Sequence, residues 1–580
     1  MKPKDFFSAP SSVAQKQYEA LRMCYVEGVD AATVAARFGY TRRGLTTIAS
    51  GFIKKLKAGK SKDLFFVENK KGRKTSQNML SAKDVIISLR KKSYSVEDIK
   101  VALDSKQMGV SEKSIYNIIA KEGFTKLPRR TKQEKQQKES PKIQAEKSVA
   151  LSFANEGFKS SSAGILCLLP YISKYGLDKI IAGSDYPQTS TINRLSSILG
   201  FVALKASNVR RYSTDDLWCM DRGQGLFAGL NVLPKAAWFT SYSDRVTPDM
   251  NMSFLKALHK VWSDNGILGD TANLDFTTIP YWGDSSHLEN NWSGKRTKAL
   301  ASMLAVLAQD PDSGIIDYGQ TNVRHSNESK VVLEFLDFYK QGAAPGQKLN
   351  YLIFDSKFTN YENLNELNKK EVKFITIRRR GKNIVEKINS QPASKWKTIR
   401  VEAAGNKKRA LKVYEEQVTL QGYEGTVRQI VITGNNKTKP AVVITNDFDL
   451  PLDKIVRKYA KRWIVEKTIS EQISFFHLNN VCSSMVIKVD FDLTMTILTY
   501  NIFKLMAMDL DRYEKLSPQS IYEKFLDNAA DIEIKDGEIV VALKKKRNLP
   551  LVLEKMSGFA NVKLDWMANK KLVFQGAAYS

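Results

Sequence analysis

Residues 349–358, LNYLIFDSKF, read as a buried strand, because YLIF is a nearly continuous apolar run, and the run ends on Asp355. A carboxylate there is costly unless it is paired or binds a metal. A second apolar strand pattern, NLDFTTIPYW (273–282), holds Asp275 between Leu274 and Phe276. A third carboxylate, Glu466, sits in KYAKRWIVEKTISEQ (458–472), a helix crowded with Lys and Arg. Positions 459, 462 and 466 fall within an arc of about 60° on a helix, so Tyr459, Arg462 and Glu466 point the same way. Taken alone, Glu466 beside Arg462 is a surface ion pair of small value. Taken together, two strand aspartates and one helix glutamate converge if the strands are neighbours and the helix packs on their sheet. Oxygen-only ligands suit Mg²⁺. Two such ions about 3.5–4 Å apart are the apparatus for in-line attack at a phosphodiester.

The surrounding texture fits an α/β core. NLDFTTIPYW, ALASMLAVLAQ and GIIDYGQTNV read as successive strands, followed by the helix SKVVLEFLDFYKQG, the Asp355 strand, the helix ENLNELNKK and the strand VKFITIRR. Residues 384–440 alternate with period two between turns at Gly405, Gly422 and Asn435-Asn436, as a β-rich insertion would. AVVITNDF is then a strand and 452–476 a long helix. MTILTYNIFKLMAM follows as a helix, and DIEIKDGEIVVAL as a hairpin turning at Asp536-Gly537. Residues 150–268 look mainly helical. GQGLFAG (223–229) lacks the spacing and the preceding strand of a phosphate loop and is rejected as one.

The 580 residues carry a net charge of +29, which implies a polyanionic partner, nucleic acid first. Residues 1–150 hold 32 Lys and Arg against 15 Asp and Glu, over half of the excess. There, DAATVAARFGYTRRGLTTIASGFIKKL has the helix-turn-helix pattern: Asp30 as cap, Gly39 in the turn, and a second helix with Arg42 and Arg43 at its start and Lys54 and Lys55 near its end. A second such unit, with caps at Ser95 and Ser111 and a turn at Gly109, spans 81–126. The plain alternative for both is a structural helical hairpin. Four scattered cysteines and four scattered histidines make no zinc site, and the cysteines read as reduced thiols. No apolar run approaches a membrane span, so a soluble, cytoplasmic protein is expected, with no membrane partner.

The strand and helix order, with DFTTIPYWG, IFDSKFTNYENLNEL and YAKRWIVE, resembles bacterial insertion-sequence DDE transposases with a β-strand insertion and a Y-(2)-R-(3)-E-(6)-K signature. The signature's last position is Ile473 here instead of Lys, and Lys467 or a residue of the insertion is a candidate to replace it. The resemblance implies an RNase H-like mixed sheet with a β-rich insertion, preceded by all-α helix-turn-helix units and a helical region. In that frame 1–65 and 78–130 are DNA-binding units, 131–149 a basic linker and 150–268 the helical region. The catalytic core is 269–380 and 441–510, the insertion 381–440 and the C-terminal region 511–580.

The resemblance further implies Asp275, Asp355 and Glu466 as catalytic ligands of two Mg²⁺ (Mn²⁺ substituting), with Tyr459 and Arg462 on a DNA phosphate. The partners implied are double-stranded DNA, namely terminal inverted repeats and target, and a second copy of the chain on that DNA. Asp317 is a rival carboxylate, Asp284 a turn residue, and Asp447 and Asp449 turn or cap residues. His287 is a surface or outer-sphere candidate, Lys295 and Arg296 are channel or solvated cations, and Trp463 and Ile464 are core. The competing classes are a domesticated non-catalytic DNA-binding regulator and a stand-alone RNase H-like nuclease.

Overall fold

The computed structural model describes residues 12–57, 65, 77–91, 94–105, 108–124, 151, 153–209, 216–280, 288–293, 298–403, 407–434, 440–478 and 486–578. The chain divides into two compact units, 1–77 and 78–580. In the first, helices α1 (Val13–Tyr25), α2 (Ala31–Phe38) and α3 (Arg42–Lys57) close over Ala20, Met23, Val34, Phe38 and Leu45. Asp30 caps α2 by accepting from the backbone N–H groups of Ala32 (3.0 Å) and Thr33 (3.1 Å). Gly39 ends it at φ 63, a left-handed turn that favours glycine. Arg42, Arg43, Lys54 and Lys55 are all exposed along α3.

The second unit opens with another three-helix group, α4 (Gln77–Lys91), α5 (Val96–Ser105) and α6 (Glu112–Lys121), around Ile86, Ile99, Leu103, Ile115, Ile119 and Phe124. The caps fall at Ser95, whose Oγ accepts from the Asp98 N–H, and at Ser111, which accepts from the Ser114 N–H. The group is fastened to the rest of the unit at two points. The Lys91 ammonium donates to the Val246 carbonyl, and the Arg324 guanidinium donates to the Lys121 carbonyl. The basic linker expected over 131–149 lies outside the described residues.

Residues 153–209 and 216–264 are mainly helical, with α7 (Arg194–Ala206) buried from Leu195 onward and α8 (Pro248–Asp264) carrying Trp262 and His259 inward. One element there was not expected. Strand β1 (Glu156–Ser160) pairs antiparallel with a strand near the C-terminus, as described below. Asp221 caps the helix Arg222–Phe227, so a carboxylate sits at the start of GQGLFAG, in line with its rejection as a phosphate loop. Cys167 and Cys219 are buried, and burial pushes the Cys167 thiol up to about 12.

The main sheet is mixed. Its strands are β2 (Thr271–Pro280), β3 (Asn290–Ser293), β4 (Lys298–Gln309), β5 (Ile316–Val323), β6 (Tyr351–Phe354), β7 (Lys373–Ile377), β8 (Lys397–Ala403), β9 (Lys407–Thr419), β10 (Thr426–Thr433) and β11 (Ala441–Thr445). The spatial order at its centre is β5-β4-β2-β6-β7. The first three, β5, β4 and β2, pair antiparallel with one another, and β6 and β7 run parallel to β2. The expected period-two strands of 384–440 begin only at Lys397, after a helix over Lys382–Asn389, and do not form a sheet of their own. They continue the main sheet through β11, which pairs antiparallel with both β7 and β10. Helices α9 (Val331–Gly342) and α10 (Tyr361–Lys369) lie with α8 on one face, where Tyr318 meets Phe335 and Phe338.

The opposite face carries α11 (Leu452–Phe475) across β2, β6 and β7, with Ile455, Val456 and Tyr459 packed on Ile353, Ile375 and Val443. Helix α12 (Val486–Asp509) covers β5, and the Asn501 side chain brackets Ile316 by accepting from its N–H (2.9 Å) and donating to its carbonyl (2.8 Å). Among the described residues no helix is long and apolar enough to cross a membrane.

The C-terminal region is a second, five-stranded sheet. Its strands β12 (Ala530–Lys535), β13 (Glu538–Leu543), β14 (Lys563–Leu564) and β15 (Lys570–Gly576) take β1 at one edge in the order β1-β12-β13-β15-β14. The expected hairpin is β12–β13, turning at Asp536-Gly537 with Gly537 at φ 78.

Candidate active site

The register of β2 and β6 brings the two aspartates together. Leu274 lies opposite Phe354 in the parallel ladder, so the next position on each strand is Asp275 beside Asp355. Neighbouring strands stand about 4.8 Å apart, and both side chains leave on the α11 face of the sheet, since Ile353, two residues before Asp355, packs on Tyr459. Asp275 is 8% exposed and Asp355 half-buried. Each is held by its own backbone: Asp275 Oδ1 accepts from the Phe276 N–H (2.9 Å), and Asp355 Oδ1 from the Ser356 N–H (2.6 Å).

On the opposite face the Phe276 and Phe358 rings stack in parallel at 3.9 Å, 4° apart. One ring follows Asp275 directly and the other closes the turn after Asp355, where the Phe358 N–H donates to the Asp355 carbonyl. The pair packs the middle of β2 against the turn that follows β6, behind the aspartates.

Helix α11 passes over the aspartates in the direction of β2. Lys458 Nζ donates to Thr271 Oγ1 (3.0 Å), and one turn later Arg462 Nη1 lies 3.7 Å from Asp275 Oδ1. Glu466 is one further turn along the same helix, beyond Arg462 and toward the carboxyl ends of β2 and β6. Its side chain lies outside what the structure describes, as do those of Trp463, Ile464, Lys467 and Ile473. Arg462 is 4% exposed, and its guanidinium centre lies 5.5 Å from the Tyr459 ring. Tyr459, expected to touch DNA, is itself buried in the apolar cluster under α11.

The other candidates go elsewhere. Asp317 is buried behind the sheet, where both oxygens receive His259 Nδ1 (2.7 and 2.8 Å), so it serves a buried His–Asp pair and not the aspartate pair. Asp447 is a turn cap, accepting from the N–H groups of Asp449 and Leu450. Burial works against its charge, but these bonds and the Tyr351 hydroxyl hold its carboxyl below the usual range. Asp284, His287, Lys295 and Arg296 lie outside the described residues.

Two features near the pair carry little signal in sequence. Asn273, two residues before Asp275 on the same face of β2, is fully buried, with no hydrogen-bond partner for its amide among the described residues. Arg378, Arg379 and Arg380 leave β7 at the same end of the sheet as the aspartates, with Arg378 tied to Gln429 (2.6 Å) and Arg379 exposed.

The donors present are carboxylate oxygens, which suit a hard divalent cation such as magnesium. Among the described residues no three His, Cys, Asp or Glu side chains gather to hold a metal ion.

Residues 272–502 match the family described as the Transposase DDE domain. Among solved structures, a cryo-EM structure of the piggyBac transposase synaptic complex with hairpin DNA is similar at 10% identity and a TM-score of 0.34, covering 71% of this chain and 87% of that one. No curated protein matches the chain.

Proposed function

We propose that this chain, which carries a DDE transposase domain over residues 272–502, binds the ends of a mobile DNA element and cuts and joins DNA with Asp275, Asp355 and Glu466 as the ligands of divalent magnesium. The observation that carries the reading is the register that sets Asp275 beside Asp355 beneath the helix of Glu466. The order β5-β4-β2-β6-β7, three antiparallel strands followed by two parallel ones, supports an RNase H-like core. Once bound, magnesium (or manganese in its place) supplies activation of a water or 3′-hydroxyl and neutralises the leaving oxygen.

The protein's own groups do the rest. Arg462 presents a planar guanidinium suited to a backbone phosphate, and the buried Tyr459 ring supports it from below. The exposed Arg42, Arg43, Lys54 and Lys55 of α3 fit a helix-turn-helix that tracks DNA phosphates, and the group 77–124 is a second such unit. Joining two ends calls for two copies of the chain on the DNA.

The test is a donor plasmid carrying the gene with its flanking DNA. The wild type is expected to cut at the element ends with Mg²⁺ and to join them to a target. Asp275→Ala, Asp355→Ala and Glu466→Ala should bind the ends but not cut. No metal-dependent cutting by the wild type would favour a regulator, cutting without joining would favour a stand-alone nuclease, and wild-type cutting by any one variant would remove that residue from the assignment.

A further inference from the structure

The pairing of Arg462 with Asp275 has a consequence for when the site can load metal. Both groups are buried, at 4% and 8% exposure, and lie 3.7 Å apart at their closest charged atoms. The Asp275 oxygen facing the guanidinium is the same Oδ1 that accepts from the Phe276 N–H. A guanidinium does not lose its proton in a protein, so it cannot make way for another cation by titrating. It has to move. Two cations on one carboxylate oxygen repel strongly where water is scarce. The 3.7 Å separation between Arg462 Nη1 and Asp275 Oδ1 is that of an ion pair and exceeds the 2.7–2.9 Å typical of a charge-assisted hydrogen bond. Arg462 also stands on a long side chain, against the flat Tyr459 ring.

We propose that Arg462 is an interlock between nucleic acid and metal. Without DNA its guanidinium neutralises Asp275, and a phosphate of the DNA backbone draws it away, opening the carboxylate to a divalent ion. Resting on the catalytic role given to Asp275 above, the interlock makes phosphate binding and metal binding favour each other, by the same factor in both directions. It keeps the ions weakly bound until DNA is seated, which guards a nuclease site against idle cutting.

The experiment is a Mn²⁺ titration by electron paramagnetic resonance at pH 8, with and without a duplex carrying the gene's flanking DNA. For the DNA-free protein, Arg462→Gln should bind Mn²⁺ about tenfold more tightly than wild type, within the usual range of such couplings. Arg462→Lys, which keeps the cation, should stay near the wild type. Adding the duplex should tighten Mn²⁺ binding to the wild type by a similar factor and leave Arg462→Gln unchanged. Equal or weaker binding by Arg462→Gln, with Arg462→Lys folded and wild-type in affinity, overturns the interlock. Asp275→Asn and Asp355→Asn separate the two levels. If they bind Mn²⁺ as the wild type does, the carboxylate site itself is wrong. If they lose it while Arg462→Gln gains nothing, only the interlock fails.

Discussion

Phe358 is fully buried, and its ring lies flat on Phe276, behind the β2 and β6 segments that hold the aspartates. Removing the ring in Phe358→Ala should cost about 3 kcal/mol, read by chemical denaturation, and Phe358→Leu clearly less, because it refills most of the space. Equal losses would mean that volume, not the stacked ring, is irrelevant to this packing. Asp275 and Asp355 were legible in the sequence because a carboxylate inside an apolar strand run is costly and therefore informative. Asn273 stands in the same run and was not, since an uncharged amide gives no such warning before its burial is known. The helical spacing of Tyr459, Arg462 and Glu466 was also legible. Whether Tyr459 faces outward or into the sheet depends on how α11 lies across β6 and β7, which spacing on one helix does not determine.

At the scale of elements, the group α4–α6 is docked through an amine that dislikes its surroundings. Burial, opposed by Asp244 and Asp490 and aided by Lys488, depresses Lys91 from 10.5 to about 8. The sign follows from proton counting. Between about 8 and 10.5 the unfolded chain holds more protons on this group than the folded one, so stability rises as pH climbs through that window. From pH 7 to pH 9 the gain should be roughly 1 kcal/mol. Amide hydrogen exchange over 77–124, corrected for intrinsic rates, should show that added protection in the wild type and lose it in Lys91→Met. The same pH response in both proteins would clear Lys91 of the role.

Element types were largely legible, and their partners were not. The strands of 384–440 follow from their period-two alternation. That they extend the main sheet depends on β11, which comes after them in sequence and pairs back to β7. Strand β1 was missed because EGFKS is short and contains glycine, and its partner Ala530–Lys535 lies hundreds of residues later.

Across the whole molecule, positive charge is concentrated where the first helices are. Residues 1–77 form their own compact unit, so their deletion leaves the second unit's core intact. Losing that unit should flatten the dependence of log affinity on log salt, by about 0.9 for each phosphate contact removed. An unchanged slope would move the main DNA contact to the second unit. The central claim concerns residues far apart in the chain and is best tested where they meet. Fe²⁺ with ascorbate and peroxide, in place of magnesium, severs the backbone beside a bound ion. The account predicts cuts clustered near 275, 355 and 466, suppressed by excess Mg²⁺; cuts missing from these three segments, or indifferent to magnesium, would contradict it.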